Sequence, residues 1–410
     1  MDHHKKNRFE SNTRIQSFFL FAISMVFFPI LPGVSETQPL LLLILGAVCL
    51  LTGRLSVNIY TWMLFYFSGL LLAVAYVSDF NPEFLSELSK LILVLTLVVL
   101  AYPWIGFGNK GFYRLFVAIH LFIALMASLN LTSWLAHYFG RYTTLEGGRG
   151  ISYLASEPSY AATYLFYVAL VYTLGLNKGV FNSRIMQWTL LILLLSTYSL
   201  MGFLFFVLVL AVDISLGKVY KKIVVGGLAA LGGILFFFAV DRVSTELIPL
   251  VTSMFSGEVG ILQWSLNYPS ASTRFILNGS AILDGLQRIF YFPELPFNDA
   301  LPSILNRFGL GPILYEHEVI GALHSEGVVL KPQALFPYVV YMFGILAVPL
   351  LFYPVYVACT VIGMKKYLMF FLCLALIFIF FFYQSQYVNP IQFFVFVVIY
   401  KYFQKAETPL

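Results

Sequence analysis

The run from Gly147 to Tyr160 reads Gly-Gly-Arg-Gly-Ile-Ser-Tyr-Leu-Ala-Ser-Glu-Pro-Ser-Tyr, which sets Arg149 among glycines shortly ahead of Glu157. Gly148 and Gly150 let backbone and ligand approach closely, and a guanidinium grips phosphate or carboxylate through paired hydrogen bonds. Pro158 suits the first turn of a helix. Glu157 is therefore expected at the mouth of the apolar run that follows, with Ser159 in its first turn. An ionisable pair there is a functional-site candidate, because charge at a membrane helix is costly. Arg149 offers anion recognition and Glu157 offers proton transfer.

A second constellation lies in 272–289, which reads as an amphipathic helix. At 100° per residue, Phe275, Gly279, Ile282, Leu283, Leu286 and Ile289 share an apolar face. Arg274, Asn278, Ala281, Gly285 and Arg288 gather opposite, and Ser272 is placed to cap the start. One reading is an interfacial helix with a wet basic face. The other uses the small Ala281 and Gly285 as room for a ligand between two arginines. Farther on, Tyr315, Glu316, His317, Glu318, His324 and Glu326 precede an apolar run. His324, nearer the membrane, is the better proton carrier, whereas His317 reads as a solvated loop residue. His120 and His137 are expected to pack or anchor at helix ends. Asp213, Arg54 and Arg114 read as snorkelling or capping charges.

The elements that position these residues are nearly all membrane. Of 410 residues, 60% are hydrophobic and 10% charged, which excludes a soluble globule. The fold class expected is an all-α polytopic membrane protein with about twelve transmembrane helices, since ~20 apolar residues span a bilayer. They fall near 16–32, 38–53, 57–77, 88–107, 112–136, 158–176, 185–199, 200–217, 222–240, 333–357, 367–383 and 389–403. The seventh and eighth are one run, divided at Ser196–Gly202 where polar residues and glycine favour a turn. With that division Lys110, Arg114, Lys178, Arg184, Lys218, Lys221, Lys222, Lys365, Lys366 and Lys401 share one side with the basic N-terminus. Short basic loops face the cytoplasm, so both termini are expected there. Chain 1–410 is then a single integral membrane domain, with a small outer loop at 137–157 and a large one at 241–332.

The outer loops hold most of the acids, and arginine rather than lysine predominates among their bases, including Arg149, Arg274 and Arg288. Cys49, Cys359 and Cys373 fall inside spans, so no disulfide framework or metal spacing arises. The first apolar run lacks a small-residue cleavage site and reads as a retained helix. Topology accounts for the net charge of +5, which leaves nothing that calls for nucleic acid.

In this layout the chain resembles the Wzy-type O-antigen and exopolysaccharide polymerases, which share an architecture with the O-antigen ligases. The likeness covers most of the chain: many spans, a small outer loop, then a large outer loop before the last helices. Locally it rests on Arg149–Ala161 with its Glu-Pro-Ser, on the turn Ser196–Ser199, on Arg274 spaced from Gly285, and on His324 ahead of Gly344. The resemblance implies a bacterial inner-membrane glycosyltransferase with a periplasmic active site; no cofactor is expected, and no metal is required where arginines neutralise the phosphates, since the sequence has no carboxylate cluster that demands one. Its substrate would be an oligosaccharide linked through pyrophosphate to undecaprenol. Partners implied are the bilayer, a flippase and a chain-length regulator. Arg149, Arg274 and Arg288 would hold the pyrophosphate; Gly148, Gly150, Ser159 and Gly285 would shape the substrate loops; Glu157, His324 and Arg274 would act in catalysis. Competing implications are a ligase that transfers the glycan to lipid A core and a lipid-linked oligosaccharide flippase.

Overall fold

The computed structural model describes residues 2–27, 46–47, 58–77, 82–132, 150–155, 157–217, 261–267, 269–288, 292–364, 366–383 and 389–404. The expected spans at 38–53 and 222–240, and Arg149, Gly148, Arg54 and His137, lie largely or wholly outside these residues. Everything regular among them is helical. In chain order the helices are α1 (Asp2–Ser24), α2 (Ile59–Val77), α3 (Pro82–Ala101), α4 (Lys110–Ser128), α5 (Pro158–Asn177), α6 (Arg184–Leu195) and α7 (Leu200–Leu216). Then come α8 (Ile261–Asn267), α9 (Pro269–Arg288), α10 (Phe297–Arg307), α11 (Ile313–Glu316), α12 (Glu318–Ser325), α13 (Leu335–Phe343), α14 (Phe352–Gly363), α15 (Tyr367–Ile377) and α16 (Ile391–Gln404).

Four stretches are long and apolar enough to cross a membrane: Ile59–Val77, Lys110–Ser128, Pro158–Asn177 and Leu335–Gly363, with further apolar helices shorter than these. Large apolar side chains such as Trp62, Phe65, Phe122 and Phe371 stand exposed on the outside, a surface that water does not tolerate and lipid does. This is a membrane-embedded helical bundle.

At its centre is α5, buried along almost its whole length and flanked by α6, α7, α16 and α1. Stacked rings join it to its neighbours, Phe166 on Phe205 at 4.3 Å and Phe27 on Tyr160 at 5.4 Å. One end of the bundle is basic. There Lys401 reaches the Ile105 carbonyl at 3.0 Å, Lys110 meets Asn182 at 3.3 Å, and Lys178 sits 4.8 Å from the Tyr402 ring. Asp213 is not a snorkelling charge. It is buried, and its carboxylate takes Arg184 at 2.6 Å and Asn177 at 2.9 Å. Arg114 is exposed, as a snorkelling side chain would be.

The division of 185–217 is real. Ser196 and Thr197 turn their hydroxyls back onto the Leu193 and Leu194 carbonyls at 2.7 and 2.8 Å, Tyr198 takes φ +44°, and Ser199 caps α7 through the Gly202 amide at 2.9 Å. Hydroxyls that offer the backbone local partners end one helix and start the next.

The segment is helical as expected over its described residues 272–288, but its two faces are reversed. Phe275, Leu283 and Leu286 are 46%, 48% and 48% exposed, whereas Ser272, Asn278, Ser280, Ala281 and Asp284 are buried. There is no wet basic face. Nor is there room for a ligand beside Ala281 and Gly285, because α13 packs into that space. A Cβ on Gly285 would lie 2.2 Å from the Val340 carbonyl oxygen. Asn278 fixes the pairing by accepting the Gln333 and Ala334 amides at 2.7 and 3.1 Å, which holds the start of α13, while its Nδ2 donates to the Phe382 carbonyl at 3.0 Å.

Candidate functional site

Opposite the basic end, the segment after Arg149 docks onto the α6–α7 turn. Gly150 makes this possible: a Cβ there would sit 2.0 Å from the Thr197 carbonyl oxygen. The Ile151 amide donates to the Ser196 carbonyl at 3.1 Å, and the Tyr153 phenol bonds the Ser196 hydroxyl. Two segments that the sequence singled out separately thus form one surface. Gly150 through Tyr153 are buried in it. Burial pushes the Tyr153 phenol up to about 12, although its bond to Ser196 pulls the other way.

Two tyrosines carry left-handed backbones here, Tyr153 at φ +51° and Tyr198 at φ +44°. Bulky residues adopt that region rarely, and each costs ~1–3 kcal/mol that surrounding structure has to offset, a pattern concentrated at functional sites. The Tyr198 side chain is exposed on this surface.

Behind the loop runs a satisfied polar chain. His120 is fully buried in the middle of α4 rather than at a helix end. The Phe116 carbonyl can only accept, so His120 Nδ1–H donates to it at 2.7 Å. Nε2 is then the acceptor for the Tyr164 hydroxyl at 3.0 Å, and the Tyr164 oxygen accepts the Leu154 amide at 3.1 Å. This histidine anchors the loop. Glu157 occupies the N-cap position of α5, half-buried, with its backbone carbonyl accepting the Tyr160 and Ala161 amides. Ser159, also half-buried, lies in the first turn.

The arginines separate by their partners. Arg288 bonds Asp284 at 2.9 Å, donates to the Tyr341 carbonyl and stacks on the Tyr341 ring at 4.7 Å. Arg307 takes the other Asp284 oxygen at 3.2 Å and Gln287 at 2.9 Å. Arg274 lies 5.1 Å from the Tyr383 ring centroid and has no carboxylate in ion-pair range among the described residues. Its N–H donors remain available to an anion.

Arg274 lies toward the loop end of the bundle. Phe380 packs on Phe166 at 5.9 Å and Phe205 at 5.6 Å, within the halves of α5 and α7 nearer Glu157 and Ser199. Tyr383 follows three residues later, on a chain leaving the basic end at Lys366, so the Tyr383–Arg274 pair is carried toward the loop surface.

The histidines exchange roles. His317 is buried, not solvated: its Nδ1 accepts the Val319 and Ile320 amides at 3.2 and 3.1 Å, and Nε2–H meets the Ser272 hydroxyl at 2.9 Å. It caps α12 and ties it to α9, two residues from Arg274. Burial draws its pKa below the usual imidazole value, against its own backbone hydrogen bond and Glu318. His324 stands exposed on the last turn of α12, its ring 6.2 Å from that of Tyr315. It makes no contact with the loop surface that the structure describes.

Sequence reasoning passed over Tyr153, Tyr198 and Tyr383. Tyr153 follows the glycines directly, but no residue pattern announces its left-handed backbone. Tyr383 ends an aromatic run in which nothing marks it out. Among the described residues no group of three or more His, Cys, Asp or Glu is placed to hold a metal. The chain matches no known protein family, no curated protein and no solved structure.

Proposed function

We propose that this protein polymerises undecaprenyl-pyrophosphate-linked oligosaccharide repeat units by glycosyl transfer at the periplasmic face of the bacterial inner membrane. In this reading about twelve spans put both termini in the cytoplasm and the 137–157 and 241–332 segments outside. The observation that carries the proposal is an arginine without a carboxylate partner, Arg274, at the same end as a strained loop docked on the Ser196–Ser199 turn. The gathering of Lys110, Lys178 and Lys401 at the other end supports the orientation.

The reaction joins a sugar hydroxyl of one lipid-linked glycan to the anomeric carbon of another. A C–O bond forms there, the bond to pyrophosphate breaks, and undecaprenyl pyrophosphate leaves. Arg274 faces the charge that develops on the leaving group, a task the sequence also assigns to Arg149; one such preorganised donor is worth ~2.7–4 kcal/mol, roughly 100–1000-fold in rate. Arg288 contributes less directly, since Asp284 already neutralises it. Glu157 takes the hydroxyl proton; His324, exposed on α12 and away from the loop surface, is not placed to do so. No metal is needed where arginines neutralise phosphate; loss of activity in EDTA with recovery in Mg²⁺ would contradict that step.

The test is a surface-glycan gel from the native host lacking this gene, complemented with wild type or Arg274→Ala. A deletion strain with single repeat units and a wild-type ladder is expected, with Arg274→Ala failing despite normal membrane levels. Long polymer held on its lipid carrier would identify a ligase instead. An unchanged ladder in the deletion strain would remove both.

A further inference from the structure

Helices α8 to α13 form an outer body built around the α9–α13 pair. Asn278 meets Ala334, Gly285 abuts Val340 and Arg288 reaches Tyr341, so these two helices lie side by side as one unit. His317 ties α12 to the same unit through Ser272 at 2.9 Å. Among the described residues this body meets the rest of the bundle mainly through two irregular stretches. One is the 3₁₀ stretch Gly344–Leu351, which follows α13; the other is the π stretch Phe378–Tyr383, which follows α15.

Both stretches are suited to bending. Gly344 takes φ +58°, ψ −134°, a conformation that any side chain disfavours. Pro349 has no N–H to give the Leu346 carbonyl, its partner in 3₁₀ pairing, and the Tyr66 hydroxyl of α2 donates there at 3.0 Å. The Tyr341 carbonyl, in the last turn of α13, takes Arg288. Backbone groups freed at the break thus find side-chain partners, which is what a membrane demands of a discontinuous helix. In the π stretch, Phe380 packs on the bundle at Phe166 and Phe205, whereas Phe382 packs on Phe336 of α13 at 4.8 Å. The seam between bundle and outer body falls inside that stretch. Residues 344–363 reach about 34 Å at ~2.0 Å per 3₁₀ residue and ~1.5 Å per α residue, enough to cross a ~30 Å core without α13.

We propose that α8 to α13 form a lid hinged at Gly344, which swings Arg274 toward and away from the Gly150–Tyr153 loop. Closing excludes water from the space between them, and opening admits and releases what binds there. The task of Arg274 in that space rests on the proposed function; the hinge rests on the backbone of the two stretches. Gly285 lies against Val340, close to the joint, and Ser272 is about 20 Å farther along α9. A swing of ~20°, the scale at which helix kinks begin, moves the α11–α12 end by about 7 Å.

The experiment is double electron–electron resonance on the full chain in nanodiscs. Spin labels are carried by p-acetylphenylalanine at Tyr315, 79% exposed on α11, and at Ile192, 61% exposed on α6, which leaves the native cysteines in place. The control pair, Leu125 and Ile192, stays within the bundle. The Tyr315–Ile192 distribution is expected to hold more than one distance, or a band clearly wider than the control. Tyr66→Phe releases the Leu346 carbonyl beside the joint. It should shift the balance of distances by roughly 2- to 10-fold, the scale of one hydrogen bond, with the control pair unchanged. Gly344→Ala should displace the Tyr315–Ile192 peak, whereas Gly363→Ala, which meets nothing within 4 Å at the end of the same stretch, should not.

A distribution as sharp as the control, in wild type and in Tyr66→Phe alike, would make the outer body a fixed cap and overturn the proposal. So would Tyr66→Phe broadening the control pair equally, since that is general loosening. Where Gly344→Ala fails to reach the membrane, Tyr66→Phe carries the test. No carrier, sugar or acceptor is present, so a rigid cap leaves the glycosyl-transfer reading to its own gel, and an unchanged ladder leaves the lid standing.

Discussion

Gly150→Ala probes the candidate site without requiring any activity. The added Cβ would lie 2.0 Å from the Thr197 carbonyl oxygen and 2.6 Å from the Tyr198 nitrogen, both backbone atoms of a capped turn. Neither is the yielding tip of a side chain. The loop has to retreat by about 1 Å or more before carbon reaches an ordinary contact distance. That retreat breaks the bond from the Ile151 amide to Ser196, 3.1 Å long, and the Tyr153–Ser196 hydroxyl contact. Each is worth ~0.5–1.5 kcal/mol net, so the docked state should lose about 1–3 kcal/mol, a factor of ~5–150 in its population. Native-state hydrogen exchange in nanodiscs reads this at the Ile151 and Leu154 amides. Both are expected to exchange faster by that factor, with the α5 interior unchanged. Gly279→Ala, which meets nothing within 4 Å, is the control. If Ile151 keeps wild-type protection in Gly150→Ala, the loop is not held by this contact, and the account of the site fails with it.

Three further expectations follow from the α9 region. Gly279→Ala should raise the melting temperature of the purified protein, since an unhindered helical glycine costs ~0.5–1 kcal/mol relative to alanine, whereas Gly285→Ala should lower it, because overpacking against Val340 costs ~1–3 kcal/mol of stability; shifts of the same sign would mean that α9 and α13 do not touch there. Arg288→Ala strips the nearer cation from Asp284, whose side chain is 8% exposed, and leaves it the more exposed Arg307, which should cost ~1.5–3 kcal/mol for the lost charge-assisted hydrogen bond, while Arg307→Ala, 52% exposed at its side chain, should cost ~0–1 kcal/mol; equal losses in chemical unfolding would refute the hierarchy. His317 is held neutral by burial, so the unfolded chain binds a proton more readily than the folded one. Stability is therefore complete above about pH 6.5, the unperturbed value, and falls as pH drops below it. Melting measured from pH 8 to 5 should show that decline and His317→Gln should flatten it; identical slopes would assign the decline to other groups.

How much of this was legible depended on whether the signal was local. The α6–α7 turn was, because Ser196, Thr197 and Ser199 supply caps within a few residues of the helix ends. Docking of the glycine loop on that turn was not, since Tyr153 and Ser196 stand 43 positions apart and neither segment names the other. The stripe on α9 was visible in the periodicity of its apolar residues, yet its direction was not. Periodicity tells which residues share a face; the phase that face meets is set by the neighbours, here a membrane span.

The ranking of the arginines was closer to hand than the rest. Arg274 and Arg288 lie on one helix with the same charge and similar angular position, and only the surroundings distinguish them. Asp284 precedes Arg288 by one helical turn, the spacing at which carboxylate and guanidinium pair. One turn either side of Arg274 are Ser270 and Asn278, neither of them acidic. A cation with an acid one turn away has its partner built in, and a cation without one at a membrane helix needs something else to neutralise it. For Arg274 the described residues supply the face of Tyr383, an interaction worth ~0.5–2 kcal/mol that leaves its hydrogen-bond donors unspent. A phosphate-bearing lipid would supply both the charge and the acceptors that Tyr383 cannot.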